Sequence, residues 1–98
     1  MFVGALRLDL LLGDVRSLKE KRSVVRPIVA ELQRRFAVAA AEADHTERHR
    51  RSVVAVATVS GSAAHCVEVL DACERLVAAR PEIELLSARR WLYSEEDE

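Results

Sequence analysis

The chain has 98 residues, half of them hydrophobic, and a formal net charge of −1 at pH 7. This length suits one domain with one core, which buries roughly 60 to 65% of the surface of the unfolded chain and leaves no room for a second domain. The sequence has no run of about 18 apolar residues for a membrane span. Its first dozen residues include Arg7 and Asp9 instead of a signal-peptide core, so we expect a cytoplasmic protein.

The charge is distributed unevenly along the chain. Its last four residues are acidic; without these four of the 16 acids, 15 bases face 12 acids, a net +3. Between Arg16 and Arg51, ten bases face five acids, so the positive field is concentrated in the first half of the chain. We predict a single domain over residues 1–93, followed by an acidic disordered tail over residues 94–98.

The first predicted element is a strand over residues 2–12, where residues alternate between two faces. One face is apolar, with Phe2, Leu6, Leu8, Leu10 and Leu12. The other face is mixed, with Val3, Ala5, Arg7 and Asp9.

A helix is predicted to begin after Ser17. Ser17 and Glu20 have the spacing of a capping box, in which the hydroxyl accepts from the backbone N–H of Glu20 and the carboxylate reaches back to the N–H of Ser17. Three cations follow on the first turn, where the helix dipole disfavours positive charge, so helix stability does not explain them. These cations are Lys19, Lys21 and Arg22.

The second half of the chain predicts a strand, a helix and a strand, after an ambiguous alanine-rich segment at residues 37–43 that would prolong the first helix on propensity alone. Residues 53–59 are rich in β-branched side chains and end at Ser60-Gly61-Ser62, where Ser62 can cap a second helix. Cys66 and Cys73 lie about 10.5 Å apart along that helix, so they cannot pair, and we expect them to be buried. Residues 82–93 predict the last strand.

Two separated motifs, together with the amino-terminal strand, resemble the YlxP-like family of small bacterial proteins of uncharacterised function. The motifs are Ser17-Leu18-Lys19-Glu20-Lys21-Arg22 and Ala41-Glu42-Ala43-Asp44-His45, and the resemblance runs from Met1 to about Leu86. It implies an α+β, ferredoxin-like fold: a β-α-β-β-α-β two-layer sandwich with an antiparallel four-stranded sheet. The alanine-rich segment is then a strand ending near His45, and residues 45–51 form a projecting loop. The resemblance also implies a place in RNA or ribosome work.

The residues that we predict for RNA binding form two groups of cations. Lys19, Arg22 and Arg26 have the i, i+3, i+7 spacing that gives one exposed stripe on the helix; Arg48, Arg50 and Arg51 form a second patch in the loop. The alternative is an ordinary solvated surface. The chain has only four aromatic residues and no RNP-type motif, so backbone or shape contacts are expected instead of base stacking.

Catalysis has weaker support in the sequence. The best constellation is Glu42, Asp44, His45 and His49, but the chain has no HExxH motif, no glycine-rich phosphate loop and no activated Ser or Cys. We therefore predict no catalytic residue, no metal site and no cofactor, and we keep an enzyme that uses Glu42, Asp44 and His45 as the third hypothesis.

The sheet predicts self-association. In a two-layer fold the helices cover one sheet face, and the other face of this sheet is largely apolar. Val3, Ala5 and Trp91 are the predicted interface residues, together with either the odd or the even residues of 53–59; Trp91 could instead close the core. Our first hypothesis is a homodimeric, non-enzymatic adaptor that associates with ribosomal RNA or a ribosome-assembly particle. The alternative is a homodimeric protein-interaction module without nucleic-acid binding.

Overall fold

The fold is a two-layer α+β sandwich. The computed structural model describes residues 1–43 and 48–97. Its elements are β1 (Phe2–Leu12), α1 (Leu18–Arg35), β2 (Ala39–Glu42), β3 (Arg51–Ser60), α2 (Ala63–Ala78) and β4 (Ile83–Ser94). The strands form one sheet in the order β2-β3-β1-β4, and all neighbours are antiparallel. The predicted ferredoxin-like fold is therefore confirmed.

The core lies between the helices and one face of the sheet. The even-numbered residues of β1 point into it, and the register places them beside the even-numbered residues of β3, for example Leu6 beside Val56 and Leu8 beside Val54. Each helix adds one apolar stripe, as its 3.6-residue period requires. The buried helix residues include Val25, Ile28 and Leu32 on α1 and Cys66, Leu70, Cys73 and Val77 on α2.

Both helices begin at the predicted serine caps. The Oγ atoms of Ser17 and Ser62 accept from the backbone N–H groups of Glu20, at 3.1 Å, and of His65, at 3.2 Å. The return bond of the first capping box differs from the prediction, because the Glu20 carboxylate accepts from the N–H of Arg16, at 2.9 Å, and not from that of Ser17. The carboxylate reaches one residue further back along the entering chain.

The alanine-rich segment after α1 forms a strand because it has a partner to pair with. α1 continues through Pro27 and ends at Arg35, and Ala39 and Ala41 then pair with Ala57 and Ala55 of β3. The side-chain amide of Gln33 also donates to the carbonyl of Ala40, at 2.8 Å. Backbone pairing of this kind outweighs the helix propensity of alanine.

The carboxyl end returns to the start of the chain. Residues 95–97, part of the tail predicted to be disordered, form a single 3-10 turn after β4. The terminal ammonium of Met1 lies 3.0 Å from Oε1 of Glu95. Neither helix among the described residues is long and apolar enough to cross a membrane.

Candidate functional site

Three exposed cations of α1 form the basic stripe, which we define as Lys19, Arg22 and Arg26. The side chains lie on one face of the helix, as the i, i+3, i+7 spacing predicts. Together with Ser23 and Pro27 they line a shallow concavity of about 410 Å³. The stripe therefore surrounds a surface depression instead of standing as isolated charges.

None of the three cations of the stripe is neutralised within residues 1–43 and 48–97. No hydrogen bond or ion pair joins them to another of these residues, whereas Arg80 lies 2.9 Å from Glu82 and Arg90 forms ion pairs with both Asp71 and Glu74. Hydrogen bonds and ion pairs to both acids raise the pKa of Arg90 above its usual value. The hydrogen-bond donors of the stripe are thus not used by any other residue of 1–43 and 48–97.

Lys21 differs from the other cations of the first turn because it is buried, with 2% of its surface exposed. Its Nζ atom donates to the backbone carbonyl of Arg48, at 3.3 Å, and lies 3.7 Å from Oε1 of Glu42. The two family motifs are therefore in contact, since Lys21 belongs to the first and Glu42 to the second. The i, i+4, i+7 spacing of Lys21 with Val25 and Ile28 places it on the buried stripe of α1.

The second basic patch lies at the same end of the molecule as the first turn of α1. The Nε atom of Arg50 donates to the carbonyl oxygens of Leu12, at 3.3 Å, and of Gly13, at 3.1 Å. Arg50 and Lys21 thus hold residues 48–50 against the turn between β1 and α1. Arg51 begins β3 and is half-buried.

The second prominent surface is the open face, by which we mean the side of the sheet opposite the helices. Val3, Ala5 and Trp91 all lie on it, and Ala5 is the neighbour of both Ala57 and Trp91. The odd-numbered residues of β3 face this side, which decides between the two sets that the sequence left open. Trp91, with 36% of its surface exposed, does not close the core. A concavity of about 440 Å³ lies over the small side chains of this face, including Ala5, Ala39, Ala41, Ala55 and Ala57.

The structure describes only two of the four residues considered for catalysis, Glu42 and His49. Glu42 is engaged by Lys21, His49 lies in an exposed turn, and Asp44 and His45 lie outside the described residues. Among residues 1–43 and 48–97, no group of three or more His, Cys, Asp and Glu side chains could hold a metal ion. Burial raises the pKa of the Cys73 thiol to about 11, so this buried side chain stays protonated and is a poor nucleophile at neutral pH.

Comparison with known proteins gives a family and a fold. The model of the family described as "Protein of unknown function (DUF503)" matches residues 3–90. The uncharacterised protein YlxP of Bacillus subtilis strain 168 is 29% identical over 82 residues, which are 84% of this chain and 89% of that protein.

Two solved structures resemble the chain at low sequence identity. One is a de novo designed protein with a ferredoxin fold, with a TM-score of 0.53 and 8% identity, covering 97% of this chain and 88% of the design. The other is SnoaB, a cofactor-independent oxygenase from Streptomyces nogalater, with a TM-score of 0.46 and 13% identity, covering 95% of this chain and 91% of that one. The match to the design agrees with the observed fold.

Proposed function

The chain belongs to the DUF503 family of proteins of unknown function, and we propose that it is a non-enzymatic adaptor that binds ribosomal RNA or a ribosome-assembly particle. The observation that carries this proposal is the basic stripe, where Lys19, Arg22 and Arg26 are exposed and have no carboxylate partner among residues 1–43 and 48–97. Exposed cations of this kind bind polyanions by neutralising phosphates and releasing counterions.

The position of the stripe supports phosphate contact over an incidental solvated face. Lys19 lies on the first turn of α1, where positive charge opposes the helix dipole, so helix stability does not explain it. An arginine guanidinium can bind a phosphate with two parallel hydrogen bonds, which suits Arg22 and Arg26 to this partner. All three side chains line one depression, which supports contact with a single ligand.

Residues 48–50 extend the proposed RNA surface. Their backbone is held against the turn before α1 by Arg50 and by Lys21. A fixed loop loses little conformational freedom on binding, which favours affinity. We therefore include Arg48, Arg50 and Arg51 as secondary contacts, with Arg50 serving both the loop and the ligand.

The second candidate function is a protein-interaction module without nucleic-acid binding. The open face favours it, since alanine and valine side chains there are not covered by either helix. Removing such surface from water contributes about 25 cal/mol per Å². The two functions differ in their dependence on salt, because apolar contacts do not release counterions.

The experiment that tests RNA binding compares two variants that each lose three positive charges. The test variant changes Lys19, Arg22 and Arg26 to Gln; the control changes Arg34, Arg35 and Arg75, which are exposed elsewhere on the helices, to Gln. We expect the parent and the control to bind small-subunit ribosomal RNA with similar affinity, and the test variant to bind at least tenfold more weakly. Equal affinity of all three proteins would contradict the proposal.

A further inference from the structure

We infer that the open face pairs with the open face of a second copy of this chain. Each copy places Trp91 over the alanine groove of the other, where the alanine groove is Ala5, Ala39, Ala41, Ala55 and Ala57. The inference does not rest on RNA binding, because the basic stripe lies on α1 in the other layer. In the pair that we infer, both stripes stay exposed.

The side chains of the open face are arranged in rows that cross the sheet. One row runs through all four strands, because Ala39 pairs with Ala57, Ala57 with Ala5, and Ala5 with Trp91. Three of its members are small and the fourth is the largest side chain in the protein. The small and large ends of the row lie at opposite edges, since β2 and β4 are the outer strands.

This asymmetry fits a two-fold axis that runs parallel to the strands between two stacked sheets. Such a rotation keeps each row at the same position along the strands, and it places β4 of one copy over β2 of the other. Trp91 then faces Ala39 in both copies, which makes the surface complementary to itself, as an isologous dimer requires.

The spacing of packed sheets explains why the pairing needs Trp91. Stacked sheets lie about 10 Å apart, a gap that is filled by side chains from both inner faces. In the paired rows Ala5 faces Ala57 at the centre, and a row made of alanine alone would leave a void along its whole length. The two Trp91 side chains fill the gap at both ends of the paired rows. A tryptophan opposite an alanine fills the gap from one side.

The charges on the open face agree with the same arrangement. The next row is Ala41, Ala55, Arg7 and Arg89, so the rotation places each arginine over an alanine and not over another cation. Asp9 lies 3.6 Å from Arg7 and accepts a hydrogen bond from Ser87, at 2.8 Å. Arg7, Asp9 and Ser87 therefore satisfy one another, and the Arg89 guanidinium lies over the Trp91 ring, 5.4 Å from its centroid.

The size of the face is adequate for a dimer. The strands have 4, 10, 11 and 12 residues; at about 3.3 Å per residue along a strand and about 4.8 Å between strands, they present an area on the order of 600 Å². Specific interfaces bury about 800 Å² on each partner, so the face approaches the usual size. A second copy of the chain is large enough to cover the whole open face.

The test is the mass in solution by light scattering, with folding checked by circular dichroism. We expect the parent to have twice the 10.9 kDa mass of one chain, and Trp91→Ala and Ala39→Glu each to have the mass of one. The matched control is Ala64→Glu, an exposed alanine on α2, which should stay dimeric. A monomeric parent, or folded dimers of both variants, would overturn the inference.

A rescue experiment tests directly whether Trp91 of one copy contacts Ala39 of the other. Ala39→Trp alone should weaken the dimer by placing two bulky side chains together, whereas Ala39→Trp combined with Trp91→Ala exchanges the large and small ends of the row. We expect the combined variant to regain the dimer mass. Failure to regain it while folded would exclude this symmetry axis. Trp91 is the only tryptophan of the chain, so its emission should also shift to longer wavelength as the parent is diluted.

Discussion

The Nζ atom of Lys21 lies 3.7 Å from Oε1 of Glu42, and this contact joins the start of α1 to the end of β2. The ammonium group also donates to the carbonyl of Arg48. A buried charge is tolerated in proteins when it is paired and hydrogen-bonded, and both conditions hold here. The contact therefore fixes the path of the chain at the end of the molecule that carries both basic patches.

Removing the carboxylate of Glu42 should destabilise the protein because it takes away a negative charge that lies beside the buried ammonium of Lys21. We expect Glu42→Gln to lower the free energy of unfolding by about 1 to 2 kcal/mol, less than for a fully buried pair since Glu42 is partly exposed. Urea unfolding of the parent and of Glu42→Gln measures this loss in the free energy of unfolding. Asp14→Asn, which breaks the exposed pair with Arg16, is the control and should cost less than about 0.5 kcal/mol. Equal losses in the two variants would contradict a structural role for the pair.

The cap of α1 gives a second prediction. Ser17→Ala removes the acceptor for the N–H of Glu20, and we expect a loss of about 1 kcal/mol in the free energy of unfolding. Ser17→Asp keeps an acceptor at the same position and should retain most of the stability. Thermal unfolding of the three proteins decides the matter, and no difference between parent and Ser17→Ala would show that this cap contributes nothing.

Gly4 is buried where α2 crosses β1. A Cβ atom at this position would lie 3.0 Å from Cδ1 of Leu70 and 3.5 Å from Cβ of Cys66. Because Leu70 is itself fully buried, we expect Gly4→Ala to cost about 1 kcal/mol through overpacking. Gly61→Ala is the matched control, since nothing lies within 4 Å of its added atom. Chemical denaturation that finds Gly4→Ala as stable as the control would show that α2 can move away freely.

Stability should fall at high pH because of Cys73. Burial raises the pKa of its thiol from 9.0 to about 11, so between these values the unfolded chain loses a proton that the folded chain keeps. Fewer bound protons in the unfolded state mean that the free energy of unfolding decreases as pH rises through this window, by on the order of 1 kcal/mol. Cys73→Ala should flatten that part of the curve relative to the parent. Parallel curves for the two proteins would contradict this cause.

The sequence predicted the elements whose patterns are local. The alternation of residues 2–12 and the cap at Ser17 gave β1 and the start of α1, because period and capping depend on neighbouring residues. Local patterns could not decide the segment around Ala40, since its conformation depends on pairing with Val56 far along the chain. The resemblance to a family supplied that strand.

In the candidate sites, too, local spacing predicted some features, and contacts between distant residues determine the others. Helical spacing gives the exposed stripe and places Lys21 on the buried side of α1, but the partners of its ammonium, Glu42 and Arg48, lie far along the chain and do not follow from local pattern. Which β3 residues face the open side depends on register, and hairpin register is not fixed by composition. From the sequence, Trp91 could lie either in the core or on the open face. Its pairing with Ala5 places it on the open face.

The most direct test of the account is the salt dependence of binding to small-subunit ribosomal RNA. Each phosphate contact adds roughly 0.7 to 0.9 to the slope of the logarithm of the binding constant against the logarithm of salt concentration. We predict that changing Lys19, Arg22 and Arg26 together to Gln reduces this slope by about 2, while the variant lacking Arg34, Arg35 and Arg75 keeps the parent slope. Equal slopes for the parent and both variants would contradict phosphate contact by the basic stripe.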